Sequence, residues 1–346
     1  MKTTVHILLS FTLIITLLFA NSCKKNKPWK SNVGHFPTTA TNLSFLNTEF
    51  DDYNSALNQS GEQFELCFSS NRKTAGGNFD IVFKLMSIVY DWETGDLKIG
   101  ETGSQSIDME IRSNSIFSAL LKINTPNDEF GPFMLPLGAK DSPNNHYFGK
   151  YYANLFLYSN DENGNQDIRF VENLNQEEYK NSKPISFLNT PFDDAYPSFN
   201  QDDSGIYFCS NRKGEFDIFF AKLDLSSKNW PIIFSDTTQK PIQKIDILSS
   251  DSADKCPFII GNTLVFASNR AGGFGGFDLY YSKFENGLWS TPVNFGPKIN
   301  TTADEYRPVI RREEGFDNDF MIFSSNRQGG KGGFDLYYVG VDKVPY

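Results

Sequence analysis

The run Ser268-Asn269-Arg270, followed by Ala-Gly-Gly-Phe-Gly-Gly and then Phe277-Asp278-Leu279-Tyr280-Tyr281, recurs almost letter for letter between Ser325 and Tyr338. Two further copies lead from Ser70-Asn71-Arg72 to Phe79-Asp80-Ile81 and from Ser210-Asn211-Arg212 to Phe216-Asp217-Ile218. In each, aromatic and β-branched stretches flank a turn, the pattern of a β-hairpin. A chain that repeats one hairpin at intervals of tens of residues builds an array of similar sheets, not a core of unique elements.

A second signal precedes each hairpin. Phe45-Leu46-Asn47-Thr48 is followed by Asp51-Asp52, Ile123-Asn124-Thr125 by Asp128-Glu129, and Phe187-Leu188-Asn189-Thr190 by Asp193-Asp194. Ile247-Leu248-Ser249-Ser250 with Asp254, and Ile299-Asn300-Thr301 with Asp304-Glu305, complete the set. Five starts call for a fifth hairpin, found in worn form at Leu155–Ile168, where Ser159, Asn160, Asp167 and Ile168 survive and Asp161 stands for the arginine. Measured on positions 47, 124, 189, 249 and 300, the spacings are 77, 65, 60 and 51 residues. A four-stranded propeller blade needs about 40 to 50, so the first repeat carries an insertion, Ser87–Lys122.

Within the last repeat, Asp304–Ile310, Phe320–Ser325 and Phe334–Val339 read as three strands. A fourth is expected after a tryptophan, as in Trp289–Val293 and Trp230–Ile233, where proline suits an outer edge. The last repeat lacks that strand, and Trp29-Lys30-Ser31-Asn32-Val33 has the order and spacing to supply it. Pairing the chain ends removes an exposed edge. The expected fold is all-β, a single closed five-bladed propeller of four antiparallel strands per blade over residues 29–346, with an N-terminal strand completing the last blade. Six blades, with the insertion as the sixth, is the alternative.

The Ser-Asn-Arg, Gly-Gly and Phe-Asp-Leu-Tyr-Tyr elements resemble the WD40-like β-propeller repeat of the periplasmic protein TolB and of many lipoproteins and OmpA-family proteins of the Bacteroidetes. The resemblance spans nearly the whole chain after its leader and implies a scaffold, not an activity. No OmpA-like or hydrolase domain accompanies the repeats.

Lys2, the apolar run Val5–Phe19 and then Ala20-Asn21-Ser22-Cys23 read as a secretion signal over residues 1–22. Ala20–Cys23 resembles the lipobox of bacterial lipoproteins, which implies lipidation of Cys23, a tether over 23–28 and attachment to the outer membrane, facing periplasm or cell surface. Lys24, Lys25, Lys27 and Lys30 sit where they can rest on an anionic membrane or simply solvate the tether. Loss of Lys2 with the leader takes the net charge from −10 to −11, which argues against nucleic acid as a partner. Cys67, Cys209 and Cys256 form no disulfide framework. Cys209 takes the slot filled by Ser69, Ala267 and Ser324, a small buried position. With only His35 and His146 beyond the leader, zinc and histidine-triad chemistry lack material.

Arg72, Arg212, Arg270 and Arg327, with Asp80, Asp217, Asp278 and Asp335, recur in every clear copy. A ligand site on a propeller needs different groups from different blades, so these are expected to pair across their own turn. The first-strand acids Asp51, Asp52, Asp128, Glu129, Asp193, Asp194, Asp254, Asp304 and Glu305 either fix turns or form an axial negative ring. An axial carboxylate pair is where glycosidase chemistry would sit. Asp161, Asn163, Asn165 and Asp167 alternate as calcium ligands do, but the positions of Gly164 and Glu172 fit a polar turn better. Gly272, Gly273, Gly275 and Gly276 have no helix after them with which to bind phosphate. The unrepeated segment Gly138–Tyr152, with His146, Tyr147, Tyr151 and Tyr152, offers an aromatic binding surface or a packed strand edge. The expectation is a monomeric, non-catalytic envelope lipoprotein without cofactor or metal, docking an envelope protein or a glycan. A glycan-active enzyme using axial carboxylates is the alternative.

Overall fold

Five antiparallel sheets carry the five repeats. The computed structural model describes residues 32–59, 64–103, 106–142, 149–200, 202–225 and 229–344; Cys23 and positions 29–31 of the expected closing strand lie outside them. The chain opens with β1 (Thr41–Asn42), and blade 1 follows as β2 (Asp52–Leu57), β3 (Phe64–Ser70), β4 (Asp80–Tyr90) and β5 (Leu97–Glu101). Blade 2 is β6 (Glu129–Asp141), β7 (Lys150–Asn160), β8 (Asp167–Glu172) and β9 (Lys183–Pro184). Blade 3 is β10 (Asp194–Phe199), β11 (Gly205–Ser210), β12 (Asp217–Lys222) and β13 (Ile242–Lys244). Blade 4 is β14 (Asp254–Ile260), β15 (Thr263–Ser268) and β16 (Asp278–Glu285), with β17 (Leu288–Trp289) and β18 (Val293–Asn294) both on β16. Blade 5 is β19 (Glu305–Arg311), β20 (Asn318–Ser325) and β21 (Asp335–Asp342), completed by β1.

The ring therefore closes through the N-terminal side as expected, but not with Trp29–Val33. Thr41 pairs with Tyr338 and Asn42 with Tyr337. Asn42 Nδ2 also donates to Asp335 at 2.9 Å, a side-chain tie that the tryptophan pattern does not contain. Trp230 likewise opens no strand: α2 (Trp230–Ser235) is a short helix capped by Asn229, with proline in its first turn, and the outer strand of blade 3 comes later as β13. The insertion forms no sixth blade. It supplies β5 and then α1 (Ile107–Ile123), which buries Ile116, Ala119 and Ile123 against blades 1 and 2.

One aromatic in each second strand anchors the packing: Phe68, Tyr158, Phe208, Phe266 and Phe323, all essentially inaccessible. Each is worth about 2–3 kcal/mol of burial. At the end of that strand sits a buried acid from the first strand, Asp52, Glu129, Asp194, Asp254 or Glu305. Asp52 accepts from Thr48 N and Oγ1 at 2.6 and 2.9 Å and from Ser70 Oγ at 2.5 Å. It also accepts from Arg72 Nη2 at 2.5 Å, and that nitrogen donates to Leu46 O at 2.7 Å. The guanidinium lies 5.2 Å over the Phe68 ring. Arg212–Asp194, Arg270–Asp254 and Arg327–Glu305 repeat the arrangement.

The repeat arginines thus pair with the first-strand acids and not with Asp80, Asp217, Asp278 and Asp335 as the sequence pattern led us to expect. A carboxylate cut off from water requires a counter-charge, and the ring of the second-strand aromatic steers the arginine toward it. The third-strand acids are held otherwise. Asp80 pairs with Lys73 and Asp217 with Lys244, while Asp278 and Asp335 accept backbone N–H groups of their own glycine loops. Blade 2 departs from the rest. Asn160 Nδ2 takes over the acid, donating to Glu129 at 2.7 Å. Asp161 accepts from Asp128 N as Asn71 accepts from Asp51 N, so Glu162, not Asp161, stands at the arginine position.

Neighbouring blades are latched by the start signal. Asn47 Oδ1 accepts from Leu336 N at 2.8 Å and its Nδ2 donates to Leu336 O at 3.0 Å. Asn124, Asn189 and Asn300 grip Ile81, Ile168 and Leu279 in the same way. The first acid of each pair adds a staple: Asp51 to Phe334 N, Asp128 to Phe79 N, Asp193 to Gln166 N, Asp304 to Phe277 N. Between blades 3 and 4 both devices are reduced, with Ser249 reaching Ile218 N at only 3.4 Å and Ala253 replacing the acid. The double glycines serve this contact. A Cβ on Gly276 would stand 2.1 Å from Asp304 Oδ1, and one on Gly275 2.4 Å from Ala303 O.

Replacing Arg270 by methionine strands buried Asp254 and is expected to lower the unfolding free energy by about 3–5 kcal/mol, read from urea unfolding at pH 7. Asp278→Asn, the residue that the sequence would pair with Arg270, should cost only about 1–2 kcal/mol.

Candidate functional site

The first strands line the propeller axis, and each carries a β-bulge at the same place. Asn54, Gly131, Tyr196, Cys256 and Arg307 all have φ between 48° and 58°, two residues after the buried acid. The ladder shifts register there in all five blades. In four of them proline follows, at 132, 197, 257 and 308, where a bulge leaves no ladder bond for an N–H to make. The bulge re-aims these side chains. Tyr196, Cys256 and the partly buried Tyr53 and Tyr306 pack together with Cys209 and Phe130 in one cluster.

Above that cluster lies an aromatic mouth. Tyr53 contacts Phe79, Phe130 and Phe334 with ring centroids 5.0, 5.9 and 5.5 Å away. Tyr306 contacts Phe277 at 4.9 Å and Phe334 at 6.3 Å. Lys255 Nζ lies 3.9 Å from the Phe216 centroid and 5.8 Å from that of Phe277. These rings are half-buried, apart from the buried Phe130. The mouth was missed from sequence. Its signal was present in the phenylalanine before each third-strand acid and in the residue after each first-strand acid, both read as blade markers.

The rim holds the first acid of each pair. Asp193 and Asp304 have both oxygens engaged, one by a backbone N–H and the other by Asn211 or Asn326. Asp51 and Asp128 accept only Phe334 N and Phe79 N, at Oδ1, and their Oδ2 atoms have no donor among the described residues. Removal from water pushes the Asp128 carboxyl above its usual range, and the Asp161 carboxylate adds to this. Burial chiefly, with Asp128 next, holds the Tyr53 phenol well above its ordinary value.

Other sequence candidates are placed elsewhere. The second acids, including Asp194, are consumed within their blades. Glu129, without an arginine, is pushed up to about 7 by burial, against the opposing bonds from Thr125 and Asn160. Asn163 and Asn165 donate to Asp167, and Asn165 also reaches Phe192 O, so the calcium candidate is a hydrogen-bonded turn. No group of three His, Cys, Asp or Glu among the described residues is arranged to hold a metal. Tyr151 is buried and Tyr152 packs under Arg112 at 5.1 Å. His146 and Tyr147 lie outside the described residues. Cys67, Cys209 and Cys256 are free and buried. No helix among the described residues is long and apolar enough to cross a membrane.

The sequence matches no family profile and no curated protein. Among solved structures, an α-L-arabinofuranosidase from Podospora anserina is similar at a TM-score of 0.49 and 10% identity, over 90% of this chain and 98% of that one. A thermostable family-43 glycoside hydrolase is similar at 0.47 and 11%, over 86% and 95%. A TolB of Agrobacterium tumefaciens is similar at 0.39 and 10%, over 90% and 100%. At these identities the likeness is one of fold, and it includes a TolB-like propeller as the repeats led us to expect. The expectation of a non-catalytic, docking-only protein is corrected by the same findings, since several of the structures resembled are glycoside hydrolases.

A carboxyl raised on folding favours the native state while both states are protonated. Glu129 is therefore expected to cost stability as pH rises from about 4.5 to about 7, by about 3 kcal/mol if it acts alone. Urea unfolding across that range should show this slope, and Glu129→Gln should flatten it.

Proposed function

We propose that this chain is a glycan-active protein of the bacterial cell envelope, cleaving glycosidic bonds at the axial mouth. The reading rests on one observation: on adjacent blades, around Tyr53, two rim carboxylates keep a free oxygen, and one of them titrates high. Glycoside hydrolysis asks for such a division, one carboxylic acid to protonate the leaving oxygen and one carboxylate to assist at the anomeric carbon. Asp128 is the acid, because burial and Asp161 favour its proton. Asp51, against which Gly333 packs so closely that a Cβ would stand 2.3 Å from its Oδ1, is the carboxylate. The aromatic wall of Tyr53, Phe79, Phe334 and Tyr306 supplies apolar faces for sugar rings, and Lys255 and the tyrosine hydroxyls supply polar handles.

The location belongs to the same proposal. A lipid on Cys23 ties the chain to the outer membrane as in the TolB-like repeat lipoproteins that its motifs resemble, and the propeller works as a monomer on cell-wall or surface glycan.

Release of reducing sugar from a panel of neutral and acidic polysaccharides tests the activity. Asp128→Asn and Asp51→Asn should each lower the rate by about 10²- to 10⁴-fold with unchanged circular dichroism. Wild-type rates in both variants, or no release by the wild type from any glycan, would overturn the assignment. Anchoring is checked separately by metabolic labelling with a radioactive fatty acid. Cys23→Ala should lose the label and leave the membrane fraction, and retention of both would remove the anchor from the reading.

A further inference from the structure

Arg307 is the largest fully buried side chain in the protein, and no acidic residue pairs with it among the described residues. Its Nη2 donates to Pro132 O at 3.0 Å and its Nε to Ser55 O at 3.4 Å, both uncharged acceptors, on the first strands of blades 2 and 1. Its Nη1 has no partner. The groups that act on it electrostatically are Cys256, Tyr196 and Cys209, and burial pushes each of these upward, so all three are neutral near pH 7. The Tyr196 ring lies 5.6 Å from the guanidinium, which offsets only part of the charge.

Arginine cannot escape burial by losing its proton. A buried, uncompensated cation costs several kcal/mol, whereas Arg311 on the same strand pairs with Glu313 and the four repeat arginines pair with their first-strand acids. Arg307 also borders a small cavity of about 10 Å³ with Gln59 and the apolar Ala56, Leu57, Phe133, Phe258 and Val309, room for one particle of about the size of a water molecule. From the unpaired charge, the unpartnered nitrogen and the adjoining cavity, we propose that Arg307 holds a small monovalent anion of the size of chloride on the propeller axis. The site lies beneath the aromatic mouth and is independent of the proposed hydrolysis. Its small size excludes larger, strongly hydrated anions such as sulfate or phosphate, and the anion completes the charge balance of the bulged first strands.

Bromide replaces chloride in such a site and scatters anomalously. Crystals grown or soaked in sodium bromide should show an anomalous peak within about 3.5 Å of Arg307 Nη1. In solution, the melting temperature should rise by several degrees when chloride or bromide replaces gluconate at constant ionic strength. Arg307→Met, which keeps the bulk and removes the charge, should lose that dependence. Should the variant not fold, the bromide peak and the halide-dependent melting of the wild type decide alone. A water without anomalous signal beside Nη1, together with melting indifferent to the anion, overturns the proposal.

Discussion

The ring depends on one buried carboxylate per blade. Asp52, Asp194, Asp254 and Glu305 sit at the point where the first strand leaves its turn. Each gathers the threonine or serine of the start signal, and an arginine folds over the second-strand aromatic to reach it. Because that arginine also donates to the carbonyl of the start signal, a single ionic contact fixes turn, strand and hairpin together. Removing either charge leaves the other stranded in the blade, so the motif is retained or replaced as a unit. Blade 2 shows the replacement: asparagine stands for serine at position 160, Glu162 occupies the arginine position and turns to Arg169, and Glu129 is left to titrate high.

That local rebuilding shapes the candidate site. Where blades 3 and 5 present an asparagine amide to the rim acid, blade 2 presents Asp161, and Asp128 keeps a free oxygen beside a like charge. The rim is therefore not five-fold. Chemistry on a symmetric scaffold requires positions at which the repeat breaks, and the break at Asp128 follows from a substitution in the turn of its own hairpin, not from any change in the strand that bears it.

Much of this was legible in the sequence. Blade number followed from counting Ser-Asn-Arg and the start signal, because a motif that serves every blade recurs along the chain. Its partners were not legible. Asp52 and Asp80 stand at equal ladder distance on either side of Ser70, and only the side-chain packing decides which of them Arg72 meets. Thr41–Asn42 closes the ring without the tryptophan that marks Val293, since two residues suffice once Asn42 ties to Asp335. The axial mouth was hidden for another reason: its aromatics belong to the repeat, and their convergence on the axis arises from bulges that composition does not reveal. Arg307 had a signal, a charge just before the proline of the first strand Glu305–Arg311, that went unread among the many arginines of the motif.

The seam between blades 3 and 4 has a consequence for how the ring moves. Four interfaces are held by a two-pronged asparagine and an acid staple, whereas in this one Ser249 accepts a single long bond in place of the asparagine's two and an alanine replaces the acid, leaving the backbone bond from Asp254 N to Phe216 O. A closed ring distributes thermal strain evenly only if its joints are equal. With one weaker joint, local opening of the ring is expected to begin between blades 3 and 4. Lys255 of blade 4 reaches across that joint to the Phe216 ring of blade 3, so opening there would displace one wall of the axial mouth.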